Sequence, residues 1–161
     1  TIVGGLLGGL IGVELTKKLV GVRRSTGDLF VYPLIIGMIV GRIGCLFAGI
    51  EDNTYGVATT LPWGMDLGDG IPRHPTNIYE ILWLLVLGLA LVAIDRKWGP
   101  RPGMRFALFM VGYLTFRFAV EFIKPDPAVL LKLGAIQWAA LVGLCYYYKV
   151  WRTSVKQIQG S

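Results

Sequence analysis

Gly41-Arg42-Ile43-Gly44-Cys45-Leu46-Phe47-Ala48-Gly49-Ile50-Glu51 closes an apolar segment that opens near Phe30. The arginine inside it governs how the chain is read. A cationic side chain within a hydrocarbon layer costs several kcal/mol or more, so it faces a bundle interior and meets a partner or an anionic ligand there. Arg42 therefore marks both a membrane-spanning segment and a polar site along it.

Composition agrees with a membrane setting. Hydrophobic residues make up 54% of the 161 residues and charged residues 16%, with a mean hydropathy of +0.60. A soluble domain carries about 25% charged residues. The net charge is +6, but the basic residues form neither one patch nor one basic helix, which argues against nucleic acid as a partner. No charged head, apolar centre and cleavage pattern of a secretory leader stands at the start, and Thr1 reads as an internal position of a longer translated sequence. Cys45 and Cys145 fall on different segments at different depths, so no disulfide is expected.

About 20 apolar residues cross a bilayer as a helix, and five segments qualify, near 1–16, 29–50, 77–94, 104–123 and 133–151. The expected fold is all-α, a single polytopic membrane helix bundle over 1–161. Lys17, Lys18, Arg23 and Arg24 load the first connection, Arg96, Lys97, Arg101 and Arg105 the third, and Lys149, Arg152 and Lys156 the tail. Eleven of the 16 basic residues thus lie in alternate connections, which the positive-inside rule places in the cytoplasm together with the C-terminus. The connection 51–76, with four acids and three prolines, reads as an external irregular loop, and its Trp63 suits the membrane interface. Glycines at 4, 8 and 12 and at 37 and 41 read as smooth helix faces for close packing, Pro33 as a tolerated kink, and Glu14 as a partner of Lys18.

Depth follows from the helical rise. Arg42 lies 14 residues beyond Asp28, about 21 Å up, and Arg117 lies 12 beyond Arg105, about 18 Å up. The two arginines share a level in the outer half of the bilayer. Glu121 follows Arg117 by one turn and Tyr113 precedes it by one, on the same helix face. His74, Tyr79 and Glu80 sit where the third segment opens from the outside. Plainer roles are available for each: Glu121 and Arg117 as a structural ion pair, Asn77 and Glu80 as a capping pattern, His74 as a surface histidine. The paired arginines argue beyond them, because the buried acids look too few to neutralise both, and guanidinium forks match phosphate oxygens. A phospholipid headgroup entering from the outer leaflet is the expected counter-ion.

These residues resemble the prolipoprotein diacylglyceryl transferases of bacterial inner membranes. The matching pieces are Gly41-Arg42-Ile43-Gly44 with Gly49, Glu51 and Gly56; Leu61-Pro62-Trp63-Gly64-Met65; Arg73-His74-Pro75-Thr76-Asn77-Ile78-Tyr79-Glu80; and Tyr113, Arg117-Phe118, Glu121-Phe122 and Pro125-Asp126, with Gln137 beyond. The resemblance implies a multi-pass inner-membrane enzyme of lipoprotein biosynthesis. It would move a diacylglyceryl group from phosphatidylglycerol to the cysteine thiol of a lipobox-containing precursor protein. It further implies Arg42, Arg117, Glu121 and Tyr113 as catalytic residues, and Arg42, Gly44, Glu51, Gly56, His74, Tyr79, Glu80 and Arg117 as substrate-binding residues. No cofactor and no metal is implied. The sequence departs from the family pattern at Leu7, where a motif histidine precedes Gly8-Gly9-Leu10, at Cys45 and Ala48, where asparagines are usual, and at Lys124, where an arginine is usual. The family's earlier membrane helices are not part of this sequence. The alternative is a phospholipid-binding membrane protein that retains the headgroup site without chemistry; a transporter is disfavoured because no inverted repeat or pair of broken helices is evident.

Overall fold

In a bilayer an apolar segment must satisfy its own backbone hydrogen bonds, so helices are the expected response to the long apolar runs of this chain. The structure, a computed structural model, describes residues 2–22, 25–99, 102–125 and 133–159, except the side chains of 98 and 149–159. It contains α1 (Ile2–Val20), α2 (Val31–Ala48), α3 (Thr76–Trp98), α4 (Met104–Val120) and α5 (Ala135–Gln159). Three helical stretches are long and apolar enough to cross a membrane: Gly27–Asp52, Thr76–Lys97 and Met104–Ile123. α1 is apolar only as far as Val13, since Glu14, Lys17 and Lys18 occupy its last two turns. Arg23, Arg24, Arg101, Asp126 and Lys132, and the side chains of the basic tail, lie outside the described residues.

α4 is the centre. It packs on α5 to one side and α3 to the other, with α2 carried on α3 and α1 on α5. Its buried residues Phe109, Met110, Tyr113 and Leu114 meet Val31, Ile35 and Met38 of α2, Leu84 and Leu91 of α3, and Val3, Ala140 and Tyr147 of the flanking helices. These positions repeat at three and four residues, which places them on one helix face. The opposite faces expose Ile36, Val40 and Phe47 on α2 and Leu82, Leu85, Val86 and Leu89 on α3. An apolar exterior around an apolar core is what lipid contact requires.

The end of α3 and the starts of α2 and α4 are tied together by polar groups. The Asp28 carboxylate accepts hydrogen bonds from Gly103 N and Phe106 N, so the start of α4 is capped by a residue from the turn before α2. Arg105 pairs with Asp95 at 2.7 Å, and Asp95 in turn accepts from Tyr32 Oη. α2, α3 and α4 are thereby joined at one level. Gly99, with φ of 52°, ends α3 in the left-handed conformation that glycine adopts without strain.

Several expectations change. Pro33 kinks nothing: it lies in the first turn of α2, where the missing N–H has no intrahelical acceptor in any case. The glycines expected to seat neighbouring helices are open, since a Cβ built at Gly8, Gly12, Gly37 or Gly41 meets no atom within 4 Å. Close approach occurs instead at Gly112, whose added Cβ would lie 2.7 Å from Leu87, and at Gly143, 2.6 Å from Leu114. Glu14 pairs with Lys17 at 2.9 Å rather than with Lys18. The loop 51–76 is not wholly irregular, for Met65–Asp66 and Pro72–Arg73 form a short antiparallel hairpin. Both cysteines are free, as expected.

Candidate functional site

Arg42 sits on the buried face of α2, seven residues after Ile35, and Arg117 continues the buried face of α4 one turn beyond Tyr113. Glu80 enters from the first turns of α3. Its carboxylate is 2% exposed and meets both arginines: Arg117 Nη1 donates to Oε2 at 3.2 Å, and Arg42 Nε forms an ion pair with the same oxygen at 2.9 Å. Tyr113 Oη donates to Oε1 at 2.8 Å. Arg117 Nη2 reaches Glu121 Oε2 at 3.0 Å, across one helical turn. Three helices therefore converge on one carboxylate, and Phe109 stacks on the Tyr113 ring from below.

The level shared by the two arginines, estimated from the helical rise, agrees with their common partner. Glu80, expected at this polar site, is in it, and its plainer alternative as a cap does not hold. Asn77 and Glu80 form no cap, because α3 starts at Thr76 after Pro75 without a side-chain cap and Glu80 turns inward. The shortage of acids is also corrected: Glu80 and Glu121 balance the charge of Arg42 and Arg117. What remains unbalanced is hydrogen bonding. The two guanidinium groups carry about ten N–H donors between them, and among the described residues the buried Nε atoms of both Arg42 and Arg117 have no hydrogen-bond partner. Arg42 Nη1 has a weak acceptor, Cys45 Sγ at 3.9 Å. The cluster is neutral in charge and rich in donors, a suitable surface for an additional oxygen acceptor.

A roof of loop residues lies over this cluster. Val57 N donates to Ile123 O at 2.8 Å, Gly56 N to His74 O at 2.9 Å, and Thr76 Oγ1 to Thr54 O. Gly56 is buried, and a Cβ there would fall 2.6 Å from His74 Cβ and 2.9 Å from Ile123 O, so only glycine fits without a shift. His74 Nδ1 lies 3.0 Å from Tyr79 Oη, which accepts from Trp63 Nε1 at 2.9 Å. Further out, Asp66 Oδ1 accepts the backbone N–H groups of Gly68, Asp69 and Gly70. Asp69 pairs with Arg73 at 2.6 Å, and this bond holds the Asp69 carboxyl below its ordinary pKa. Arg73 also covers the Tyr55 ring.

Arg42, Arg117, Glu121, Tyr113 and Glu80 thus form one buried cluster, with Gly56 and His74 in the loop and Tyr79 in the first turn of α3. Gly44 and Glu51 are not brought in, since both are exposed. Reasoning from sequence missed Cys45, whose spacing of three from Arg42 was a legible signal. It also missed the Trp63–Tyr79 bond, for which sixteen residues of loop left no signal.

Apolar helices long enough to cross a membrane around a buried arginine–glutamate cluster define a helical membrane protein with a polar cluster inside its bundle. Comparison with known proteins narrows this class. The family model for prolipoprotein diacylglyceryl transferase matches residues 1–151, and the chain belongs to that family. A phosphatidylglycerol-prolipoprotein diacylglyceryl transferase of Nitratidesulfovibrio vulgaris (strain DP4) is 40% identical over 142 residues, covering 83% of this chain and 52% of the relative. Its namesake in Cupriavidus necator is 39% identical over 150 residues, covering 86% and 53%. That of Nocardia farcinica is 34% identical over 124 residues, covering 65% and 25%. The chain spans about half the length of the first two relatives and a quarter of the third. No solved structure matches it.

Glu80→Gln leaves two buried guanidiniums short of a counter-charge, a loss of about 3–5 kcal/mol. Glu121→Gln, which leaves Glu80 in place for Arg117, has a smaller effect. Thermal unfolding in detergent checks the order; equal loss for the two variants contradicts the central place given to Glu80.

Proposed function

We propose that this protein takes part in lipoprotein biosynthesis, transferring the diacylglyceryl group of phosphatidylglycerol to a cysteine thiol of a prolipoprotein. The observation that carries this reading is the neutral, donor-rich cluster of Arg42, Glu80, Arg117 and Glu121 in a bundle of the matching family. In the reaction the thiol sulfur attacks the glyceryl carbon, the carbon–oxygen bond to phosphate breaks, and glycerol-1-phosphate leaves with the electron pair. The arginines donate to the phosphate as charge gathers on it, a form of stabilisation that is strongest in a dry site. Glu80 fixes both guanidiniums, Glu121 orients Arg117, and Tyr113 completes the bonding of Glu80.

The thiol proton needs an acceptor. Glu80 and Glu121 are occupied by guanidinium donors, and Glu51 is exposed. His74, the chain's single histidine, has a neutral partner in Tyr79 and takes this role in the proposed reaction. The acceptor substrate is a lipobox-containing precursor. The setting is the bacterial inner membrane, crossed five times with the C-terminus in the cytoplasm, as the alternation of basic connections supports. A reporter fused after Ser161 is then active in the cytoplasm; activity confined to the periplasm overturns this orientation.

Incubation with labelled phosphatidylglycerol and a lipobox peptide tests the reaction. Label on the peptide is expected. Loss of a charged hydrogen bond is worth about 1.5–3 kcal/mol, so Arg42→Ala lowers turnover by roughly tenfold or more. Arg42→Lys recovers part of it, because charge returns without the fork. His74→Gln lowers turnover without weakening lipid binding. Lipid binding without any label transfer by the wild type contradicts the proposed chemistry.

A further inference from the structure

Cys45, where the family pattern has an asparagine, is a departure with chemistry of its own. It follows Arg42 by three residues on α2, so the two side chains are neighbours on one face. Its half-buried Sγ lies 3.9 Å from Arg42 Nη1. Asp52, in the turn that follows α2, accepts the thiol hydrogen. Thr54 Oγ1 donates to the same carboxylate at 2.6 Å and holds it in place. A nucleophile and a base are thus within hydrogen-bond reach of each other, with a third group orienting the base.

A second observation points to a ligand beside the thiol. Arg42 is only 6% exposed, yet its Nε has no hydrogen-bond partner among the described residues. Its Nη1 is directed at sulfur, a weak acceptor. A phosphate-linked oxygen bonded to Nη1 at about 2.9 Å would satisfy that nitrogen far better. In-line displacement at the adjoining carbon sets sulfur and leaving oxygen on opposite sides of it. Their separation is then about 4.5–5 Å, a near-attack distance of about 3–3.5 Å plus one carbon–oxygen bond. An oxygen and the Cys45 sulfur bound to one nitrogen at these lengths span that distance when they stand near a right angle around it.

We infer that Cys45 is a modification site, an internal thiol that takes the diacylglyceryl group in place of the prolipoprotein cysteine. The inference rests on the transfer reaction proposed above. The thiol proton passes to Asp52, and the thiolate is the attacking species. Sulfur forms a bond to the glyceryl carbon, the carbon–oxygen bond to phosphate breaks, and glycerol-1-phosphate leaves with the electron pair. The product is a thioether on Cys45. A second thiol does not displace a thioether, so the group stays, and each molecule reacts in this way once. Self-modification competes with transfer to the precursor and consumes the enzyme where acceptor thiols are scarce.

Intact-mass measurement of the detergent-purified chain tests this, after incubation with dipalmitoyl phosphatidylglycerol without peptide and then denaturation. A covalent gain of one diacylglyceryl group is expected, smaller by the missing methylenes with dimyristoyl phosphatidylglycerol, and fragmentation places it on Cys45. A group already on Cys45 when the chain leaves the membrane is the same result. Cys145→Ala keeps the gain and Cys45→Ala loses it. Cys45→Ser loses it as well, which keeps the comparison valid if the alanine variant fails to fold. Asp52→Asn removes the proton acceptor and slows the gain about 100-fold or more. Label transfer to a lipobox peptide with Cys45 unmodified overturns the internal acceptor alone. Absence of both overturns it together with the transfer reaction.

Discussion

One carboxylate, Glu80, accepts hydrogen bonds from Tyr113 and Arg117, forms an ion pair with Arg42, and joins α2, α3 and α4 at a single level. Desolvating it and two guanidiniums is expensive, and buried ion pairs are often no more stabilising than the hydrophobic groups that could replace them. Their presence here is better explained by what they hold in place. With Glu80 bonded to both Arg42 and Arg117, the remaining N–H groups have fixed directions before any ligand arrives. Such preorganisation is what an electrostatic site requires, since donors that must reorient during a reaction lose part of their effect.

The rest of the fold maintains this geometry. At one end of the bundle, Asp28 and the Arg105–Asp95–Tyr32 chain fix how α2, α3 and α4 are spaced. At the opposite end, residues 54–57 are bonded to both the start of α3 and the end of α4. Between those two ties lies a core of aliphatic and aromatic side chains. The cluster is therefore held by packing from below and by backbone bonds from above.

Depth was legible in the sequence and direction was not. Residue counting from the helix ends put Arg42 and Arg117 at one height, and they share an oxygen of Glu80. The same counting placed Glu80 near the site but could not show which way it points, so its pairing with both arginines was not foreseen. Glycine spacing failed for a related reason. A repeat of four defines a face but not whether another helix covers it, and the faces at Gly8 and Gly37 are uncovered while Gly112 and Gly143 carry the close contacts. Bonds between the loop and α3, such as Trp63 to Tyr79, depend on tertiary placement that no local pattern encodes. Of the residues the family motifs marked, Arg42, Glu80, Tyr113, Arg117 and Glu121 come together in one buried cluster, whereas Gly44 and Glu51 are exposed.

A double-mutant cycle between Arg42 and Glu80 addresses the central claim most directly. Arg42→Gln, Glu80→Gln and the double variant are unfolded thermally in one detergent, and the coupling energy is taken from the four stabilities. For two groups in one buried network a coupling within about 0.5–3 kcal/mol is expected, and the shared bonding described for Glu80 places it in the upper half of that range. Additivity to within about 0.3–0.5 kcal/mol would mean that the two side chains act independently, and that the carboxylate does not organise the arginines.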